Sequence, residues 1–96
     1  MKACAHGLQL DPAVRQDAQR RLASIKGHLE GVLRMLEDER VYCVDALKQI
    51  KAIDGALGKV GDLVLRSHLA NHVVTAHARG DEARIVEELM EILKYR

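Results

Sequence analysis

Two histidines stand four positions apart in "RSHLANHVV", residues 66–74, and they are the pair of residues in this chain best suited to metal chemistry. On an α-helix, residues four apart lie on one face about one turn from each other, so the imidazoles of His68 and His72 can point at a common site. Two imidazole nitrogens leave a metal ion incompletely coordinated. The sequence must therefore supply at least one further donor.

Cys43 is the candidate third ligand, because it projects onto the histidine face if the helix extends back to it. It precedes His68 by 25 residues, which corresponds to about 37 Å along one straight α-helix. One metal ion cannot bridge that distance, so either the helix folds back or a second copy packs antiparallel and supplies the thiol. The small residues of "GALGKVG", residues 55–61, fall where such a crossing would lie, near residues 56–57. We therefore favour an intermolecular site that occurs twice in a symmetric pair.

A thiolate with two imidazoles in an apolar seam suits Cu(I) best. Zn(II) would need a fourth ligand, and Ni(II) would need more nitrogen or oxygen donors, so both metals stay open. A place at a helix N-terminus would favour the Cys43 thiolate at neutral pH. The alternative interpretation is that these residues only fill a core, as single Cys and His residues often do. Cys4 and His6 are weaker candidates for an accessory metal role.

The elements that must position these residues are predicted to be helices, which indicates an all-α fold. Asp11 and Pro12 provide a helix start, and apolar residues then recur at helical spacing as far as a polar break at residues 38–42. A second, long helix is predicted from about Val44 to Ala78, ended by Gly80, and a third begins after Asp81. We expect a flexible tail over residues 1–10 and one helical domain over residues 11–96.

Composition narrows the class of protein. The 96 residues are 48% hydrophobic but contain no Phe or Trp, so a core of small aliphatic side chains would gain from oligomerisation. No apolar run is long enough to cross a membrane, and the N-terminus lacks the apolar stretch of a signal peptide. We therefore expect a cytoplasmic protein without a membrane partner, in which a structural disulfide between Cys4 and Cys43 is not expected.

The formal net charge of +1 leaves a nucleic-acid partner open, and what matters is where the basic residues lie. No helix-turn-helix signature or zinc-finger spacing is present, so DNA binding would depend on a charged surface. On the second helix the basic residues lie opposite the Cys and His face, and an ordinary solvent-exposed face explains the same pattern. The candidate DNA-binding residues on the first two helices are Arg21, Lys26, Lys48, Lys51, Lys59 and Arg66.

Three stretches together resemble the CsoR family of bacterial metal-sensing repressors. They are "RLASIKGHLEGVLRML", "YCVDALKQIKAI" and "SHLANH", and the similarity covers most of residues 20–94. The resemblance implies an antiparallel four-helix-bundle dimer, with three helices per chain, that assembles into a tetramer. It also implies a transcriptional repressor whose metal-free tetramer binds operator DNA and whose Cu(I) site lies between protomers.

The resemblance assigns the first ligand to Cys43, the second to His68 and the third position to His72. The copper sensors commonly have Cys at this third position, whereas His occurs there in nickel and cobalt sensors. Those sensors also use a histidine near the N-terminus, where this chain has Leu10 and Asp11. The missing ligand favours copper, and His72 keeps nickel and cobalt open.

The resemblance further implies that Tyr42 and Glu88 hydrogen-bond the ligating histidine, and that Arg21 and Lys59 contact the operator.

Two other classes of protein remain to be compared with a repressor. A thiol-dependent hydrolase using Cys43 and His68 is disfavoured, because no loop that could form an oxyanion hole is present, so we expect no enzyme. A copper-buffering helical bundle that never binds DNA is the other alternative.

Overall fold

The computed structural model describes residues 10–95, and the proposed tail residues Cys4 and His6 lie outside this range. The described part is helical, and its elements follow one another in this order: α1 (Pro12–Glu37), α2 (Cys43–His68), a π-helical segment (Leu69–Val73), α3 (Ala76–Arg79) and α4 (Glu82–Leu93). Three helices were predicted, the third of them short, and they correspond to α1, α2 and the 12-residue α4, with the four-residue α3 as an addition between the second and third. The all-α fold is confirmed.

Helices α1 and α2 form an antiparallel hairpin, since the N–H of Asp11 before α1 donates to Ser67 Oγ at the end of α2, 3.3 Å away. The buried apolar residues recur at every seventh position on both helices, which is typical of two helices that pack side by side over their full length. These residues are Ala18, Ile25 and Val32 on α1, and Ala46, Ile53 and Val60 on α2. The core between α1 and α2 is therefore one narrow seam.

A second apolar stripe on the same hairpin is exposed. Helical spacing places Ile50 and Leu57 on the same broad face of α2 as the buried Ala46, but Ile50 and Leu57 are each 45% exposed in the single chain. The reason is that α2 carries two neighbouring apolar ridges, and α1 covers only one of them. Exposed apolar surface of this extent marks a site of association. The stripe consists of Leu22, Leu29, Leu33, Leu36, Leu47, Ile50 and Leu57.

Helix α2 is unbroken through its three glycines, as predicted, but the expected continuation as an α-helix to Ala78 is wrong. After His68 the chain widens into the π-helical segment, closed by a hydrogen bond from Val74 N–H to the Leu69 carbonyl. The Thr75 hydroxyl lies 3.2 Å from the Asn71 carbonyl oxygen and 3.1 Å from that of His72. A side chain that bonds the backbone in this way competes with continuation of the helix.

The turn before α4 forms at Gly80, as the sequence predicted. Gly80 has φ +74°, the left-handed conformation that ends a helix and that residues with a Cβ rarely adopt. The chain then reverses into α4, whose Ile85 is buried. Among residues 10–95, no helix combines the length and the apolar character needed to span a bilayer.

Candidate metal centre

Three side chains with metal-binding atoms converge where α2 ends. One donor atom from each of His68, His72 and Glu88 lies within 4.8 Å of the others. His68 comes from the last turn of α2, His72 from the π-helical segment and Glu88 from the middle of α4. The His72 side chain is only 2% exposed, whereas those of His68 and Glu88 are half-buried. The cluster is therefore shielded on one side and open on the other.

The Glu88 carboxylate lies between the two rings. Its Oε1 is 2.5 Å from His68 Nε2, and its Oε2 is 3.9 Å from His72 Nε2. Glu88 thus contacts His68, as the family resemblance implied. This contact places His68 Nε2 against a carboxylate, so Nδ1 is the nitrogen of His68 that is left for a metal.

The π-helical segment determines how the two rings face each other. Their centroids are 5.0 Å apart and their planes are inclined by 35°. The sequence predicted adjacent rings from an ordinary α-helical turn, but His72 lies in a wider turn that contains one residue more. Such π-helical turns are rare and occur often at functional sites.

Sequence reasoning missed Arg79, which contacts His72 at two atoms. Arg79 Nη2 donates to the His72 carbonyl at 2.7 Å and lies 3.4 Å from His72 Nε2. The same guanidinium donates to the Thr75 hydroxyl and, through Nε, to Asp81 Oδ2 at 3.1 Å. The signal in the sequence is a basic residue directly before the helix-ending Gly80, a place where such side chains often bond the last carbonyls of a helix.

Cys43 and Tyr42 lie at the other end of α2. Because α2 is unbroken, Cys43 is about 37 Å from His68 along the helix axis. Its thiol is free and exposed, and the neighbouring Tyr42 is 68% exposed. Within residues 10–95 of one chain, the structure therefore brings together His68, His72 and Glu88, but not Cys43 or Tyr42.

The donor set of one chain comprises two imidazoles and a carboxylate. Imidazoles bind most first-row transition metals, and the carboxylate adds a harder oxygen that does not suit Cu(I). The buried His72 and the nearby carboxylate make the end of α2 a chemically reasonable place for a transition metal. A soft ion such as Cu(I) would need a thiolate from outside this chain.

The predicted DNA-binding residues are exposed on α1 and α2. Arg21 and Lys59 line one groove of about 380 Å³ between the two helices. Arg21 Nε also donates to Asp17 Oδ2 at 3.2 Å, and hydrogen bonds from Arg20 and Arg21 hold the Asp17 pKa below its ordinary value. Lys51 lies 3.7 Å from Asp54, whereas Lys26, Lys48 and Arg66 extend from the same two helices.

The chain matches one protein family and several known relatives. The family described as "Metal-sensitive transcriptional repressor" matches residues 14–95. The copper-sensing transcriptional repressor CsoR of Mycobacterium tuberculosis is 37% identical over 83 residues, covering 86% of this chain and 69% of the relative. The protein of the same name from Bacillus subtilis is 36% identical over 74 residues, covering 77% and 72%.

A solved structure has the same fold. The chain superposes on the copper-sensing repressor CsoR with Cu(I) from Geobacillus thermodenitrificans with a TM-score of 0.80 and 36% identity, covering 88% of each chain. A family match that spans nearly all of the described helices, together with relatives above 30% identity, confirms the resemblance seen in the sequence. The chain belongs to the family of metal-sensitive transcriptional repressors.

Proposed function

We propose that this protein is a copper-responsive repressor, whose metal-free tetramer binds operator DNA in the cytoplasm and releases it when Cu(I) binds. The observation that carries the proposal is the cluster of His68, His72 and Glu88 at one end of α2, with Cys43 exposed at the other end. The names of the relatives, which are copper-sensing repressors, support copper as the metal. The genes released from repression would be those for copper efflux or storage.

In the proposed site, Cys43 of one protomer joins His68 and His72 of its partner. The unbroken α2 separates these groups by about 37 Å in one chain, and an antiparallel pair of α2 helices would bring them together at both ends. The exposed apolar stripe is the surface on which a second hairpin would pack, giving a four-helix bundle. Glu88 would orient His68 through Nε2. The exposed Tyr42 would reach the same site together with its neighbour Cys43.

The proposed DNA-binding surface is the basic side of the hairpin. Assembly of four chains would repeat Arg21, Lys59 and their basic neighbours four times, so phosphate contacts would accumulate. Repression is relieved only if the metal favours a conformation with lower DNA affinity. By linkage, DNA must then weaken metal binding by the same factor by which the metal weakens DNA binding.

Operator release can be measured with the reduced, full-length protein. A duplex selected from a random library by the metal-free protein serves as the probe, and its binding is followed by fluorescence anisotropy during titration with Cu(I), Ni(II) and Zn(II). We expect Cu(I) to release the duplex at lower concentration than the other two metals. Duplex affinity that no metal changes would contradict the sensor function.

A nickel- or cobalt-sensing repressor of the same fold is the second candidate. The specific observation in its favour is the Glu88 carboxylate, whose oxygens lie 2.5 Å from one imidazole and 3.9 Å from the other. Two nitrogens and an oxygen suit Ni(II) and Zn(II) better than Cu(I). The same titration separates the candidates, since release by Ni(II) alone would assign the site to the harder metal. A copper-buffering bundle would bind Cu(I) but show no salt-dependent affinity for the duplex.

A further inference from the structure

We propose that Arg79 is a positioning residue that holds His72 in the metal-free protein and competes with a metal ion for the Nε2 atom of that ring. The inference rests on the proposed function, because it assumes that His72 is a metal ligand. Its starting point is the contact of Arg79 Nη2 with both the carbonyl oxygen and the Nε2 atom of His72, at 2.7 and 3.4 Å.

The chemistry of the guanidinium determines which tautomer of His72 it selects. Arginine has only donors and keeps its protons at any physiological pH, so a nitrogen that faces it must offer a lone pair. Arg79 Nη2 is the nearer of two charged groups that face His72 Nε2, at 3.4 Å against 3.9 Å for Glu88 Oε2. A neutral His72 ring is therefore expected to carry its proton on Nδ1 and to leave Nε2 unprotonated towards Arg79. An unprotonated ring nitrogen is also the atom that binds a metal. Arg79 thus occupies the electron pair that a metal would take.

The remaining contacts of Arg79 fix its position. Its Nε bonds Asp81 directly before α4, and its other terminal nitrogen bonds the Thr75 hydroxyl. Its side chain is 30% exposed, and the guanidinium contacts several partners. The 3.4 Å contact to Nε2 is longer than a strong hydrogen bond, whereas the bond to the carbonyl is short. The ring contact is therefore the one that a metal displaces most easily.

Displacement would have a mechanical consequence within this chain. Arg79 connects the π-helical segment to the start of α4, and α4 also carries Glu88. A metal bound at Nε2 would repel the guanidinium and release it from the ring. The guanidinium would keep its bonds to the His72 carbonyl and to Asp81, so the ring would be freed while the link between the π-helical segment and the start of α4 remains.

Nitrogen NMR of the metal-free, full-length protein labelled at histidine tests the positioning role without any metal. Two-bond proton–nitrogen correlations should show His72 with its proton on Nδ1 in the wild type and should show loss of this single tautomer in Arg79→Met. Arg20→Met is the matched control, because it removes one exposed arginine from α1 and should leave the His72 spectrum unchanged. A proton on Nε2 of His72 in the wild type would overturn the proposal.

Competition for the atom is tested by anaerobic Cu(I) titration against a chelator of known affinity. We expect Arg79→Met to raise Cu(I) affinity by about tenfold, the scale on which groups contacting a ligand change metal affinity, with Arg20→Met unchanged. Equal or weaker affinity in a folded Arg79→Met, checked by circular dichroism, would contradict competition. Failure of the wild type to bind Cu(I) would instead contradict the proposed function, while the tautomer measurement still decides whether Arg79 holds the ring.

Discussion

His68 Nε2 and Glu88 Oε1 are 2.5 Å apart, although 20 residues separate them in the chain. This contact joins the end of α2 to the middle of α4 across the turn at Gly80. It involves the nitrogen of His68 that points away from the proposed metal, and such contacts fix both the ring orientation and its protonated nitrogen. The position of α4 is thereby coupled to the ring that would bind the metal.

Replacement of Glu88 by Ala should weaken Cu(I) binding by about 10- to 100-fold, because the His68 ring loses the group that orients it. A chelator competition assay measures this, with Glu87→Ala, an exposed neighbour on α4, as the control. Unchanged Cu(I) affinity in Glu88→Ala would show that the carboxylate does not act on the ligand.

Mixing two inactive variants tests whether the site is shared between protomers. Cys43→Ala and His68→Ala should each abolish Cu(I) binding on their own. In a dimer that contains one of each, one site keeps Cys43 from one chain and both histidines from the other. Random exchange of protomers should therefore restore about one quarter of the wild-type sites, because half of the dimers are mixed and each has one intact site.

No recovery of Cu(I) binding in the mixture would contradict a shared site, provided that exchange of protomers is confirmed by native mass spectrometry. The Cys43→Ala protein is also expected to bind the duplex as tightly as the wild type in the absence of metal. Cys43 lies at the start of α2 and outside the set of residues that line the groove with Arg21 and Lys59.

Neutralising the groove between α1 and α2 should weaken DNA binding, because fewer phosphates of the duplex would then meet a positive charge. For Lys59→Ala, and separately for Arg21→Ala, we expect lower duplex affinity and a salt dependence whose slope is shallower by about one for each phosphate that is no longer neutralised. Lys94→Ala is the control, since Lys94 follows α4 and pairs with Glu91. An equal decrease in Lys94→Ala would indicate only a general effect of charge.

The contact between Asp38 and Arg40, in the loop that leads into Cys43, should add a small stabilisation that acid removes. Hydrogen bonds from the Arg40 side chain and backbone to Asp38 lower the pKa of this carboxyl below its ordinary value of 3.8. A lowered folded-state pKa stabilises the fold fully above the unfolded value, and this stabilisation is lost as the pH falls through the folded-state pKa. Asp38→Asn should therefore flatten the fall in Tm below about pH 4 relative to the wild type.

Thermal unfolding followed by circular dichroism across acidic pH measures this difference. The matched control is Glu39→Gln, the exposed neighbour of Asp38 in the same loop. Parallel Tm curves for the wild type and Asp38→Asn would show that the Arg40 contact does not persist in solution.

The sequence predicted the parts of the fold that depend on local chemistry. Pro12 marks the start of α1 because its ring fixes φ near the helical value. Gly80 marks the turn before α4 because it can adopt a positive φ without strain. The His68 and His72 pairing also follows from local spacing, and the Glu88 contact from the family resemblance. These features need only nearby residues or a known relative.

The features that were missed depend on tertiary packing. A helical projection places the two apolar ridges of α2 on one broad face, and only the packing of α1 decides that Ile53 is buried while Leu57 is exposed. The π-helical segment has no residue signature of its own. Arg79 becomes part of the site only because the chain turns at Thr75 and brings the guanidinium back to His72.

The wider turn at Leu69–Val73 also bears on how the chain tolerates changes in length. A π-helical turn holds one residue more than an α-helical turn, so His72 points roughly where the third residue after His68 would point on a regular α-helix. Deletion of Ala70, which would shift the register of most helices, should here convert the segment into ordinary α-helix and leave the imidazoles adjacent. The same deletion at Ala52, within the regular part of α2, should destroy the hairpin seam.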